Sequence, residues 1–234
     1  MLDRNTLSQV LEVSRSLHRS GSMSPTALLT IAKHLEPRNP RYTVETGTGA
    51  STLIFSQISR DHTVFTVNTD GSMNALLASP LLRRDTTKFV EGPTQKTLPL
   101  HAFGSKLQAV LLDGPHAYPF PDLEYFYLYP HIQENGLLII DDIHIPSIYN
   151  LFRFLCKEEM FRLLEVSGKT AFFARTASPV FDPWSDGWWL QEFNRRVLRR
   201  YSLQDRLKSV IPLRWRPRLR TLSDGVRLWY RGSN

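Results

Sequence analysis

The chain is poor in cysteine, and its single thiol, Cys156, excludes an internal disulfide. Cys156 closes the apolar stretch Leu151-Phe152-Arg153-Phe154-Leu155, which reads as a buried helix and gives the thiol a structural role. Long hydrophobic runs are missing as well: stretches such as Gly136 to Ile140 are too short to span a bilayer, and Met1-Leu2-Asp3-Arg4-Asn5 opens no signal-peptide core. A cytoplasmic protein is the expectation. Neither disorder nor a repeat architecture fits 234 residues with 41% apolar and 22% charged side chains and no internal periodicity. That length suits one α/β domain with an appendage better than two independent cores.

Acidic charge is scarce in one region only. From Leu190 onward, eleven arginines and Lys208 face Glu192, Asp205 and Asp224, a net of +9, so the remainder of this +7 chain is close to neutral at −2. Any anionic partner is therefore expected to meet the tail. The composition changes at residues 177–189, a loop rich in proline and tryptophan, which divides the chain into a domain at 1–176 and an extension at 177–234.

Helical spacing over residues 6–18, then Ser24-Pro25 as cap and first turn of a second helix, place two helices ahead of the first strand. Short apolar strands then alternate with helices. Strands are expected at Tyr42–Glu45, Thr63–Val67, Lys88–Val90, Ala109–Leu112 and Leu137–Ile140, with a closing antiparallel pair at Arg162–Val166 and Thr170–Arg175. Residues 121–133 read as helical on either side of Pro130, residues 148–160 as a further helix, and Leu190–Lys208 as a basic one. The sum is a doubly wound, Rossmann-like α/β fold with a mainly parallel seven-stranded sheet and an antiparallel closing strand.

Three constellations carry chemistry. Glu45-Thr46-Gly47-Thr48-Gly49-Ala50-Ser51 puts an acid and a glycine loop between a strand and a helix, with Ser51 as cap; glycines permit close backbone approach and the helix start offers free N–H groups. The third glycine of a dinucleotide fingerprint is absent, and no Gly-Lys-Ser/Thr follows, which disfavours NAD and ATP. Leu112-Asp113-Gly114-Pro115-His116 and Ile140-Asp141-Asp142-Ile143-His144 end two later strands, where open α/β sheets build their sites. Three carboxylates brought together by adjacent strands repel one another, and a divalent cation is the simplest relief: Mg2+ first, with Mn2+ or Ca2+ as substitutes. His144 can reach such a site or simply shape its loop.

The first constellation resembles the opening motif of class I S-adenosylmethionine-dependent methyltransferases. That resemblance implies S-adenosylmethionine as cofactor, held by Glu45, Gly47, Thr48, Gly49 and Ser51. It also implies an acid after the second strand for the ribose, where this chain has Asn68 and then Asp70. The second and third constellations are similar to those of metal-dependent small-molecule O-methyltransferases of the macrolide-sugar and catechol types, over roughly residues 24–175. Carried across, Asp113, Asp141 and Asp142 are metal ligands, Asp113 also borders the cofactor, and His116 is the general base. A histidine base and an Asp-Asp pair match the sugar type better than the lysine base and Asp-Asn pair of the catechol type.

The implied acceptor is a small hydroxylated molecule such as a saccharide. Three other readings stay open: a nucleic-acid methyltransferase guided by the tail, a relative of the cephalosporin-hydroxylase-like proteins, and a non-catalytic cofactor binder. Against the first, the chain has no Asn-Pro-Pro-Tyr-like motif and no RNA-binding module. The amphipathic cationic tail can lie on an anionic membrane, bind nucleic acid or pack as a terminal helix. Trp184, Trp188 and Trp189 suit sugar stacking, a lid or a contact between copies of a homo-oligomer.

Overall fold

The computed structural model describes residues 2–17, 22–68 and 71–198, and the chain divides into two compact units, Met1–Pro183 and Trp184–Asn234. Local capping sets the first elements. Helix α1 spans Arg4–Leu17. Ser24 accepts a hydrogen bond from the Ala27 N–H at 3.2 Å and Pro25 takes the first helical position, so α2 (Pro25–Leu35) starts where that pair predicts.

Seven strands follow: β1 (Tyr42–Thr46), β2 (Asp61–Thr66), β3 (Thr87–Glu91), β4 (Leu107–Leu112), β5 (Ile132–Ile140), β6 (Phe161–Ser167) and β7 (Thr170–Arg175). They lie in the order β3-β2-β1-β4-β5-β7-β6. All neighbours are parallel except β7, which runs antiparallel to both β5 and β6. The connecting helices are α3 (Ala50–Ile58), α4 (Ser72–Ala78), α5 (Thr94–Thr97), α6 (Phe120–Leu128) and α7 (Pro146–Leu155).

Period-two alternation sends neighbouring strand residues into two different cores. Val110, Leu112, Leu138, Ile140 and Phe173 pack with Tyr125, Leu128, Ile148 and Leu151 from α6 and α7 on one face. Ala109, Leu111, Leu137, Ile139 and Phe172 pack with Leu28 and Ile31 of α2 and Leu53 and Ile54 of α3 on the other. Continuous apolar strands are what a sheet covered on both faces demands. The doubly wound, Rossmann-like architecture expected from the sequence is therefore present.

Several local expectations need correction. Ser51 does not cap α3: Gly49 is the cap residue, and the Ser51 hydroxyl points inward to Glu45. The helix expected over 121–133 stops at Leu128; Tyr129–His131 form a 3-10 turn and β5 starts at Ile132, because Pro130 lacks the N–H that would continue an α-helix. The helix expected over 148–160 is Pro146–Leu155, with proline at its first position. Cys156 is exposed at the C-cap of α7, not buried. The inward stripe of that helix is Ile148, Leu151 and Leu155, and one further residue turns about 100° away from it.

In the second unit, a 3-10 turn at Trp188–Leu190 precedes α8 (Glu192–Leu198), whose Glu192 accepts from Arg196 at 2.8 Å. The rest of the basic helix expected to Lys208, and the cationic tail after it, lie outside the described residues. Among the described residues, no helix is long and apolar enough to cross a membrane.

Candidate active site

The glycine loop leaves the C-terminal end of β1 and is held from three sides. Gly47 has φ +87, its N–H donates to the Phe65 carbonyl at 2.9 Å, and a Cβ there would lie 2.3 Å from the Asp113 carbonyl oxygen. Backbone thus packs on backbone between β1 and β4. Gly47→Ala would meet both the left-handed strain and that clash, and is expected to cost about 2 kcal/mol or more in a urea melt. A melt equal to the parent's would refute the close packing.

Below the loop, Glu45 is fully buried; it accepts from the Ser51 hydroxyl at 2.9 Å and from the Thr52 hydroxyl, and lies 3.3 Å from His62 Nε2. His62 is itself bonded to Thr43 at 2.8 Å and stacked on Phe55. Glu45 and Ser51 therefore brace the loop from beneath. Thr48 Oγ1 lies 3.2 Å from Ser72 Oγ, linking the loop to the start of α4. Asn68 donates from Nδ2 to Asn74 at 3.1 Å, whereas its Oδ1 is buried without a hydrogen-bond partner among the described residues. That orphaned acceptor fits a ribose hydroxyl, since a buried amide oxygen is costly to leave unpaired. Asp70 lies outside the described residues.

At the ends of β4 and β5 three side chains converge. His116 Nε2 lies 3.7 Å from Asp113 Oδ1 and 3.4 Å from Asp142 Oδ2, and one ligand atom from each of the three falls within 4.8 Å of the others. The two carboxylates so placed fit a divalent cation, with the imidazole beside them. Asp141, also expected at this cluster, is buried, accepts from the Thr170 hydroxyl at 2.5 Å, and acts on Asp113 through its charge. Asp142 adopts φ 54, a left-handed conformation that Asp tolerates better than most residues. That turn carries its carboxylate to His116, to Lys169 Nζ at 2.5 Å and to within 3.7 Å of His144 Nδ1.

These surroundings shift protonation. Burial, and then the charges of Asp141 and Asp142, raise the Asp113 carboxyl to about 7 against the pull of His116, although 26% of its side chain still faces solvent. The adjacent Asp113 carboxylate, with the charges of Asp142 and Asp141, raises the His116 imidazole above its usual 6.5 against desolvation. Burial likewise raises Asp141.

Two residues at the site escaped the sequence reading. Lys169 sits in the β6–β7 turn, and only the antiparallel pairing of Ile140 with Ala171 brings that turn to the end of β5. Glu124 is buried in α6, accepting from Thr46 Oγ1 at 2.7 Å under Gly114, where a Cβ would lie 1.9 Å from Glu124 Oε1. Its signal was available: an acid four residues before Leu128 shares that helix's buried face. Thr46 in turn accepts from the Asp113 N–H at 3.1 Å, so Glu124 acts on Asp113 through Thr46.

Burial raises the Glu124 carboxyl from 4.5 to about 7. The folded chain thus keeps a proton there that the unfolded chain has released, and stability falls as pH rises between those values. Glu124→Gln removes the loss: the variant should be more stable than the parent at pH 8, by up to about 3 kcal/mol, with the gap closing toward pH 4.5 in urea melts. A gap independent of pH would rule out a buried titrating group.

Residues 44–143, which hold the glycine loop and both acidic strand ends, match the family model described as "Methyltransferase domain". Residues 44–143 form a methyltransferase domain. Solved structures share the fold around the methyltransferase domain. A Klebsiella pneumoniae protein assigned as an O-methyltransferase superposes with a TM-score of 0.62 at 13% identity, over 75% of this chain and 91% of its own. The O-methyltransferase TomG of Streptomyces achromogenes, solved with S-adenosylmethionine and involved in tomaymycin synthesis, gives 0.58 at 12% identity over 75% and 91%. An O-methyltransferase from Bacillus cereus, in complex with S-adenosylhomocysteine, gives 0.56 at 15% over 74% and 92%. Comparison with curated protein sequences found no match.

Proposed function

We propose that the methyltransferase domain transfers the methyl group of S-adenosylmethionine to a hydroxyl of a small acceptor, with His116 as general base. The observation that carries the reading is the placement of His116 Nε2 within 4 Å of Asp113 and Asp142, at the end of β4 that also borders the glycine loop. The O-methyltransferases of like fold that were solved with S-adenosylmethionine or its product lend support.

The glycine loop and Asn68 would hold the cofactor, whose sulfonium supplies an electrophilic methyl group. Asp113 and Asp142 would hold a divalent cation such as Mg2+, which lowers the pKa of a hydroxyl it binds. Neutral His116 accepts the acceptor's proton as its oxygen attacks, while Asp113 and Asp142 stabilise the imidazolium that results. With the donor already charged, the chief task of the fold is to hold nucleophile and methyl in line. A saccharide or another hydroxylated metabolite is the proposed acceptor class.

The direct test is calorimetric titration with S-adenosylmethionine and S-adenosylhomocysteine, with Mg2+ and with chelator, then transfer assays on hydroxylated saccharides. Cofactor binding followed by methylation of a hydroxyl supports the proposal; no binding in either condition overturns it.

A further inference from the structure

The β6–β7 turn grips the Asp141-Asp142 pair at three points. Thr170 donates to Asp141 at 2.5 Å, the Lys169 carbonyl accepts from the Ile143 N–H at 2.9 Å, and Lys169 Nζ meets Asp142 Oδ1 at 2.5 Å. Gly168, at φ +62, makes the turn that brings Lys169 there. The lysine is thus delivered by fixed backbone on both sides of the contact, unlike a surface lysine on a free stem. Asp142 is 7% exposed and Lys169 33%, so the pair is shielded on the carboxylate side and open on the ammonium side.

We propose that Lys169 is a built-in counter-cation of Asp142, which a divalent metal ion must displace from that carboxylate, and that it thereby sets how tightly the site binds metal. This inference rests on the metal-assisted part of the proposed function. A carboxylate oxygen at 2.5 Å from an ammonium has no room for a second cation along that direction. At distances of a few ångströms in a partly buried site, a unit charge opposes a doubly charged ion by more than thermal energy. The open side of the pair lets the lysine swing into solvent when the ion arrives, whereas Asp142 stays fixed by its left-handed backbone.

Mn2+ binding to the full chain, read from the paramagnetic resonance signal of free ion without cofactor or acceptor, tests the idea. Lys169→Met and Lys169→Gln should each tighten Mn2+ binding about tenfold or more, while Lys169→Arg, which keeps the charge, stays within about threefold of the parent. Thermal melts show which variants are folded, and two charge-removing variants guard against the loss of one. Parent-like or weaker binding by both overturns the proposal, as does tightening by Lys169→Arg equal to that of Lys169→Met. Absence of Mn2+ binding in the parent and all variants overturns it together with the metal part of the proposed function. Failure of the lysine's role alone appears as equal, measurable binding throughout.

Discussion

His116→Ala should lower turnover by about a hundredfold or more while changing cofactor affinity little, because the imidazole contacts the acidic strand ends and not the glycine loop. The pH profile is the sharper readout. His116 acts as base only when neutral, and its proton is held more firmly than in a free histidine, first by Asp113 and then by the nearby carboxylate charges. Transfer should therefore rise with pH along an acid limb set by the His116 imidazole, and the variant should lose that limb. With the two carboxylates neutralised by a bound cation, the imidazole loses part of that hold and the limb should shift to lower pH. A variant that keeps both turnover and limb would remove His116 as base. Ser147, which donates to the His116 carbonyl, steadies the loop through its backbone and survives the substitution.

The parallel core was legible because continuous apolar strands and glycine turns state their own geometry. Leu137–Ile140 and Ala109–Leu112 read as buried strands, and their C-terminal aspartates could be placed side by side without coordinates. What escaped was set by tertiary contact. Lys169 looks like an ordinary turn lysine until β7 pairs with β5, and the hydroxyls of Ser51, Thr52 and Thr170 reveal their carboxylate partners only in the fold. Local chemistry misled in two places: Ser51 is a good cap residue whose hydroxyl is bound inward by Glu45, and Cys156 lies next to a buried stripe without belonging to it. The sequence placed Asp113, Asp141 and Asp142 together; in the structure His116 lies beside Asp113 and Asp142, and Asp141 is bonded to Thr170.

Asp113→Asn should separate stability from activity in opposite directions. The backbone of residue 113 is fixed without its carboxylate: its N–H donates to Thr46, and its carbonyl packs against Gly47. The carboxylate itself is unfavourable, raised from 3.8 to about 7 by burial and by Asp141 and Asp142. The folded chain therefore holds a proton on Asp113 that the unfolded chain releases above about 4, so stability falls as pH rises through that window. An uncharged amide avoids the loss, and the variant should melt at higher urea than the parent at pH 8, with no advantage near pH 4. The gain stays below the full shift, since a quarter of the side chain is solvated. Methyl transfer should fall at least about a hundredfold, and Mn2+ affinity with it, because the asparagine neither neutralises a cation nor orients the His116 imidazole. Cofactor binding at Asn68 and the glycine loop should persist. A variant that is less stable and no longer binds S-adenosylmethionine would instead make the Asp113 carboxylate part of the scaffold, and the catalytic role would pass to Asp142 and His116 alone.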